Sequence, residues 1–277
     1  MAGLDRAPLD GLELEFEIRG VGEPVLLMHA GVCADFFLPL MEEPALFEQY
    51  RLVRYHRAGY VGSTRLPGPV SIADQGAHGR LLLHHLGIER AHIVGHSSSA
   101  MMALQLALDA PDAVQTLALL DAARPAPTSE VQRAFVEEIV QPVLRTYREG
   151  DLARAVDSWM QGTCGPDYRS VLDHAVPRAF EQAVADADTF FGQELPAVQQ
   201  WVFTRDEAQR VTQPVLAVLG GQSQPIFRER WNLLLAWLPD VEPFILPDAT
   251  HLLHAQDPGG MAAALSTFFA RHPVSLG

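Results

Sequence analysis

Short, largely apolar runs recur along the chain at Val25–Met28, Leu52–Tyr55, Ile93–Val94, Val114–Leu120, Val215–Leu219 and Pro243–Leu246. Such runs suit strands buried on both faces, as in a parallel sheet. Stretches with helical character fill most of the gaps: Ile72–Leu86, Ala100–Asp109, Phe227–Leu238 and Pro258–Phe269. Strand and helix in alternation admit few folds; the expected class is α/β, with right-handed crossovers and helices on both faces of a mostly parallel sheet. Glu13–Ile18 alternates strictly and reads as a half-exposed strand.

The alternation fails between Arg124 and Val211, where only helix-like segments occur: Ser129–Arg148, Asp151–Met160, Tyr168–Val176 and Arg178–Phe191. Pro125 and Pro127 mark the entrance to this block, and Gln213-Pro214 restarts the strand pattern. The predicted organisation is therefore a core of residues 1–123 and 212–277, with a helical cap of residues 124–211 over the strand ends. A chain of 277 residues suits one such domain with an insertion.

One junction carries chemistry. His92-Ile-Val-Gly-His-Ser-Ser-Ser-Ala100 passes from an apolar run through Gly-His-Ser into a helix. A serine nucleophile is presented on this kind of strand–turn–helix, as Gly-x-Ser-x-Gly, because the tight turn tolerates only small residues two places before and after the serine. Gly95 and Ser99 fill those places, which puts the nucleophile at Ser97. A helix merely capped by Ser97 or Ser98 is the plainer alternative.

Composition removes other chemistries. All 20 basic residues are arginine, so Schiff-base and pyridoxal chemistry and a lysine-bearing phosphate loop are excluded. No Gly-x-Gly-x-x-Gly follows a strand, and no cofactor is expected. Cys33 and Cys164 are too few for a disulfide framework or a zinc site; Cys33 reads as a small buried filler. A net charge of −14 argues against nucleic acid or an anionic membrane as partner. With no membrane-length apolar run and no basic-then-apolar leader at the N-terminus, a soluble cytoplasmic protein is expected; a homodimer is compatible with the sequence.

Three further segments join the elbow. Met28-His29-Ala30-Gly31 follows a buried strand, Arg57-Ala58-Gly59-Tyr60-Val61-Gly62-Ser63 follows the next, and Asp248-Ala249-Thr250-His251 follows the last. In this order, each at a strand end, they resemble the α/β-hydrolase superfamily of helically capped serine hydrolases over nearly the whole chain. The resemblance implies an eight-stranded, mostly parallel sheet and makes His251 the base that takes the proton of Ser97. His254 is a weaker candidate; His96 would support the elbow from behind and His29 would orient its loop. It also implies an oxyanion site made by the backbone N–H groups of Ser98 and Gly31, with Ala30 standing where glycine is usual.

The acid departs from the common pattern. Gly220-Gly221-Gln222-Ser223-Gln224 holds no carboxylate where the family usually carries one, and the next is Glu229. In zearalenone-type lactonases the acid follows the preceding strand, where this chain has Leu119-Leu120-Asp121-Ala122. Asp121 is thus the expected partner of His251; Asp248 is a third option that would rather shape its turn, and Asp121 could instead cap the entrance to the helical block. The expected reaction is cofactor-independent hydrolysis of an ester or lactone of an apolar small molecule. An aspartate-nucleophile dehalogenase or epoxide hydrolase is excluded by Ser97. Carbon–carbon bond hydrolysis stays open, as do perhydrolysis, a biosynthetic cyclase or lyase, and a non-hydrolytic ligand receptor, the last suggested by the missing acid after Leu219.

Overall fold

The computed structural model describes residues 4–123 and 129–274. The expected alternation is realised as one sheet of eight strands among the described residues: β1 (Asp5–Leu9), β2 (Leu12–Arg19), β3 (Glu23–Met28), β4 (Tyr50–Tyr55), β5 (Ala91–His96), β6 (Val114–Leu120), β7 (Val215–Gly220) and β8 (Val241–Leu246). Their order across the sheet is β1-β2-β4-β3-β5-β6-β7-β8. β2 runs antiparallel to both neighbours, and every pair from β4 to β8 is parallel. The strand β1, which the apolar runs do not reveal, carries Pro8 at the sheet edge, where the missing N–H costs no ladder bond.

Two single-turn helices, α1 (Leu38–Met41) and α2 (Pro44–Phe47), follow β3. Next come α3 (Ile72–His85) and, directly after β5, α4 (Ser98–Asp109). α3 and α4 pack on one face of the sheet, with Leu82, Met101, Met102 and Leu106 in that core. The helix α14 (Pro258–Arg271) covers the other face through Met261, Leu265, Phe268 and Phe269. Burial of Leu26 and Leu27 on opposite faces of β3, both 1% exposed or less, is why the apolar runs are continuous.

Between β6 and β7 the described chain is helical: α5 (Glu130–Phe135), a π-helical turn at Val136–Val140, α6 (Gln141–Arg148), α7 (Leu152–Cys164), α8 (Tyr168–Ala175), α9 (Ala179–Ala185), a second π-helical stretch at Asp188–Glu194, α10 (Leu195–Gln200) and α11 (Arg205–Ala208). The entrance marked by Arg124, Pro125 and Pro127 lies outside the described residues. These helices share a separate apolar core, including Val156, Met160, Phe190 and Phe191, with Ala30, Val32, Cys33 and Phe36 after β3 and Leu252 and Ala255 after β8. The inserted helices therefore rest on loops at the carboxyl ends of the strands, the edge at which open α/β sheets bind ligands. The core is completed by α12 (Pro225–Trp237) and α13 (Leu253–Gln256). No helix of the described residues is long and apolar enough to cross a membrane.

Candidate active site

At the end of β5 the backbone turns through Ser97 with φ 54° and ψ −117°, a conformation an L-residue seldom adopts, and α4 begins at the next residue. The turn is held from three sides. Ser97 N–H donates to Leu120 O (2.9 Å), Ser97 O accepts from Ala123 N–H (2.9 Å), and a Cβ on Gly95 would lie 2.6 Å from Ser99 O and 2.8 Å from Ala100 N. Only glycine fits at 95. Ser99 is accommodated differently, its hydroxyl sitting against the carbonyls of Met28 and His96 and accepting from His96 N–H (2.8 Å). The serine in the usual glycine place thus ties the elbow to the end of β3. Ser97's own side chain caps nothing, so the capping alternative fails for it.

Asp121 follows β6 with φ 41°, a left-handed conformation that aspartate tolerates better than most residues. Its carboxylate faces β7's end and the loop after β8. Oδ1 accepts from Gly220 N–H (2.8 Å), while Oδ2 accepts from the Ser223 hydroxyl and lies 3.1 Å from His251 Nδ1. Ser223, in the segment where the resemblance places an acid, instead donates its hydroxyl to Asp121. Asp248 is exposed, and Glu229 accepts from Ser129 Oγ (2.6 Å), so neither serves His251. The His251 ring is stacked on Phe227 (centroids 3.9 Å apart, 17° between planes), and its backbone O meets His96 Nε2 at 2.8 Å.

Burial, and behind it the Arg230 guanidinium, pushes His251 down to about 3, so the imidazole is neutral and its second nitrogen free to accept a proton. Burial pushes the Asp121 carboxyl up to about 7, against the pull of the Ser223 hydroxyl, Gly220 N–H and Arg228. His29, as expected, organises its loop: Nε2 accepts from Arg57 N–H (3.0 Å) and Nδ1 lies 2.6 Å from Ala30 O. His254 is buried among Phe36, Phe37 and His96, and neither ring nitrogen has a hydrogen-bond partner among the described residues.

Ser97 and His251 open onto the same cavity of about 400 Å³, whose wall includes Phe36, Val140, Trp159, Phe190 and Phe227, with Arg230 as a cationic point. Ser98 and Gly31 also line it, but not as two free amides: Gly31 N–H donates to Ser98 Oγ (3.0 Å), and Ser98 Oγ donates to Glu194. Glu194, from the second π-helical stretch, is 4% exposed and also holds Arg57 Nη2 (2.7 Å) and the Tyr60 hydroxyl. Nothing near Glu194 in the sequence flags it. Only the tertiary approach of the inserted helices to the Arg57–Ser63 turn reveals its role.

The chain is similar in sequence and in fold to known proteins. RutD of Azorhizobium caulinodans, named for carbamate hydrolysis, is 34% identical over 110 residues, 39% of this chain and 41% of its own. RutD of Klebsiella pneumoniae is 39% identical over 101 residues, 36% of this chain and 38% of its own. The chain thus spans about two fifths of the length of these curated relatives. Among solved structures, a thermophilic esterase from Thermogutta terrifontis superposes with a TM-score of 0.79 at 20% identity, covering 98% of this chain and 99% of that one. The enol-lactonase from Burkholderia xenovorans LB400 gives the same TM-score and identity over 96% of this chain and all of that one. The family model described as the alpha/beta hydrolase fold matches residues 24–258. With its strand order, its elbow and that match, the chain belongs to the alpha/beta hydrolase family.

Proposed function

We propose that this hydrolase cleaves a carboxylic ester or lactone of a small apolar molecule through an acyl-enzyme on Ser97. The observation that carries the reading is the His251–Asp121 hydrogen bond at the wall of the cavity that also receives Ser97. A serine hydroxyl becomes a competent nucleophile when a neighbouring imidazole takes its proton. In this reading His251 accepts the Ser97 proton as Oγ bonds to the substrate carbonyl carbon. Asp121 fixes the ring tautomer and stabilises the imidazolium. The tetrahedral oxyanion is held by backbone N–H groups that include Ser98's. Collapse expels the alcohol, which takes the proton from His251; water then attacks the acyl group with the same base, releasing the acid and Ser97.

The largely apolar wall supports an apolar body for the substrate. The receptor alternative draws on the missing acid after Leu219; the Asp121–His251 hydrogen bond supports turnover instead. Carbamate cleavage is a second reading, favoured by the RutD relatives, and it would use the same nucleophile and base. The test is turnover of p-nitrophenyl esters, lactones and carbamates by the wild type and Ser97→Ala. Loss of turnover in the variant is expected, and equal rates would overturn the reading.

A further inference from the structure

We infer that the second oxyanion donor is the backbone N–H of Val32, in place of Gly31, and that Ser98 Oγ and Glu194 are the positioning residues that bring this about. The inference rests on the serine-hydrolase reading above. Val32 has φ 75°, and Cys33 N–H donates to Gly31 O (3.0 Å), so the loop after β3 makes a γ-turn of the rare positive-φ hand centred on a β-branched residue. A strained turn of this kind persists only where its surroundings impose it, and such turns gather at functional sites. Val32 is 3% exposed, lines the cavity beside Ser97, and its N–H has no acceptor among the described residues. Buried amides are almost always paired. An oxygen that arrives with the substrate supplies the missing acceptor.

Gly31, by contrast, has nothing to give. Its N–H is taken by Ser98 Oγ, whose own proton goes to Glu194, and Glu194 is fixed by Arg57 and Tyr60 in a buried network. Ser98 thereby has two jobs that do not compete. Its side chain occupies the Gly31 amide, and its backbone N–H, at the first position of α4, has no partner inside the helix, on a residue that lines the cavity. Phe190 packs so tightly on Gly31 that a Cβ there would approach its ring to 2.3 Å. The inserted helices therefore set the loop twice over, through Phe190 and through Glu194.

The direct test is a crystal structure of the enzyme phosphonylated at Ser97 by a fluorophosphonate. The expected result is a phosphonyl oxygen within hydrogen-bond distance of both Val32 N and Ser98 N, with Gly31 N–H still on Ser98 Oγ. A phosphonyl oxygen on Gly31 N, with the Ser98 hydroxyl turned away, overturns the inference and leaves the serine-hydrolase reading standing. Failure of the folded protein to label at Ser97 overturns both. Kinetics separate positioning from simple structural support. Ser98→Ala is expected to lower kcat several-fold and weaken a trifluoromethyl ketone inhibitor in proportion, with KM unchanged, and Glu194→Gln, which keeps an acceptor, to retain more activity than Glu194→Ala. If Gly31 were the donor, Ser98→Ala would remove a competitor for its N–H and raise kcat, which also overturns the inference.

Discussion

At the scale of single residues, Asp121, the proposed triad acid, is the sharpest case. Asp121 is held by a backbone N–H, a hydroxyl and His251 at once, in a left-handed conformation its side chain tolerates. Asp121→Asn keeps the shape but offers an amide where the imidazole N–H needs a carboxylate. It is expected to lower kcat by about a thousandfold to ten-thousandfold, with the melting temperature little changed; a rate near wild type would remove Asp121 from the proposed triad. The acid limb of the pH–rate profile probes the Asp121–His251 pair. His251, held below its ordinary value of 6.5, stays neutral to lower pH, whereas burial raises the Asp121 carboxyl to about 7, so kcat/KM should begin to decline near pH 7, as Asp121 takes a proton and before the imidazole charges. Arg228 holds the Asp121 rise in check, so Arg228→Gln should move the limb upward; an unmoved or lowered limb would contradict this. Ser97, His251 and Asp121 are legible as candidates because each follows an apolar run that fixes its place on the sheet edge. Sequence offers no access to Glu194 or to the Val32 turn, whose signals are a carboxylate buried by distant chain and a backbone angle.

At the scale of elements, the strand–turn–helix of β5 and α4 was legible because sterics leave so little choice there. Gly95 has backbone atoms of Ser99 and Ala100 within 2.8 Å of where a Cβ would stand, and backbone cannot swing aside as a side chain can. Ser99 shows the limit of reading by pattern. Glycine is the commoner residue at that place, yet the Ser99 hydroxyl satisfies His96 N–H and meets two carbonyls in a fully buried position. Ser99→Gly, although it restores the usual motif, is therefore expected to destabilise the protein by about 1–3 kcal/mol through the unpaired groups it leaves. Thermal unfolding checks it, and an unchanged or raised melting temperature would refute it. The inserted helices were legible as helices but not in detail. Ser129–Arg148 reads as one continuous helix, whereas the chain widens into a π-helical turn at Val136–Val140 and resumes as α6. Periodicity cannot register one inserted residue in a helix that faces a cavity on one side and solvent on the other. β1 escaped for the opposite reason: five residues with a central-to-late proline make too short a pattern to recognise.

At the scale of the whole molecule, two electrostatic effects pull stability in opposite directions as the solution is acidified. A chain of net charge −14 with an isoelectric point near 5.1 should lose self-repulsion between pH 7 and 5, which favours the folded state. The buried imidazoles act the other way. His29, His96, His251 and His254 are all held below 6.5 chiefly by burial, so between about pH 6.5 and 4 the unfolded chain binds protons at these sites that the folded one does not. Stability from each is complete above 6.5 and is lost as pH falls, at up to about 1.4 kcal/mol per pH unit. Asp121 offsets one of the four, since its raised carboxyl keeps a proton in the fold that the unfolded chain has released. Short-range burial should outweigh diffuse surface repulsion that salt screens. The melting temperature is therefore expected to fall between pH 7.5 and 5.5, and a rise would show that repulsion governs instead. His254→Leu separates the two effects within one experiment. It removes a buried ring with no polar partner among the described residues, so it should raise the melting temperature at pH 7.5 and flatten the acid slope by one proton.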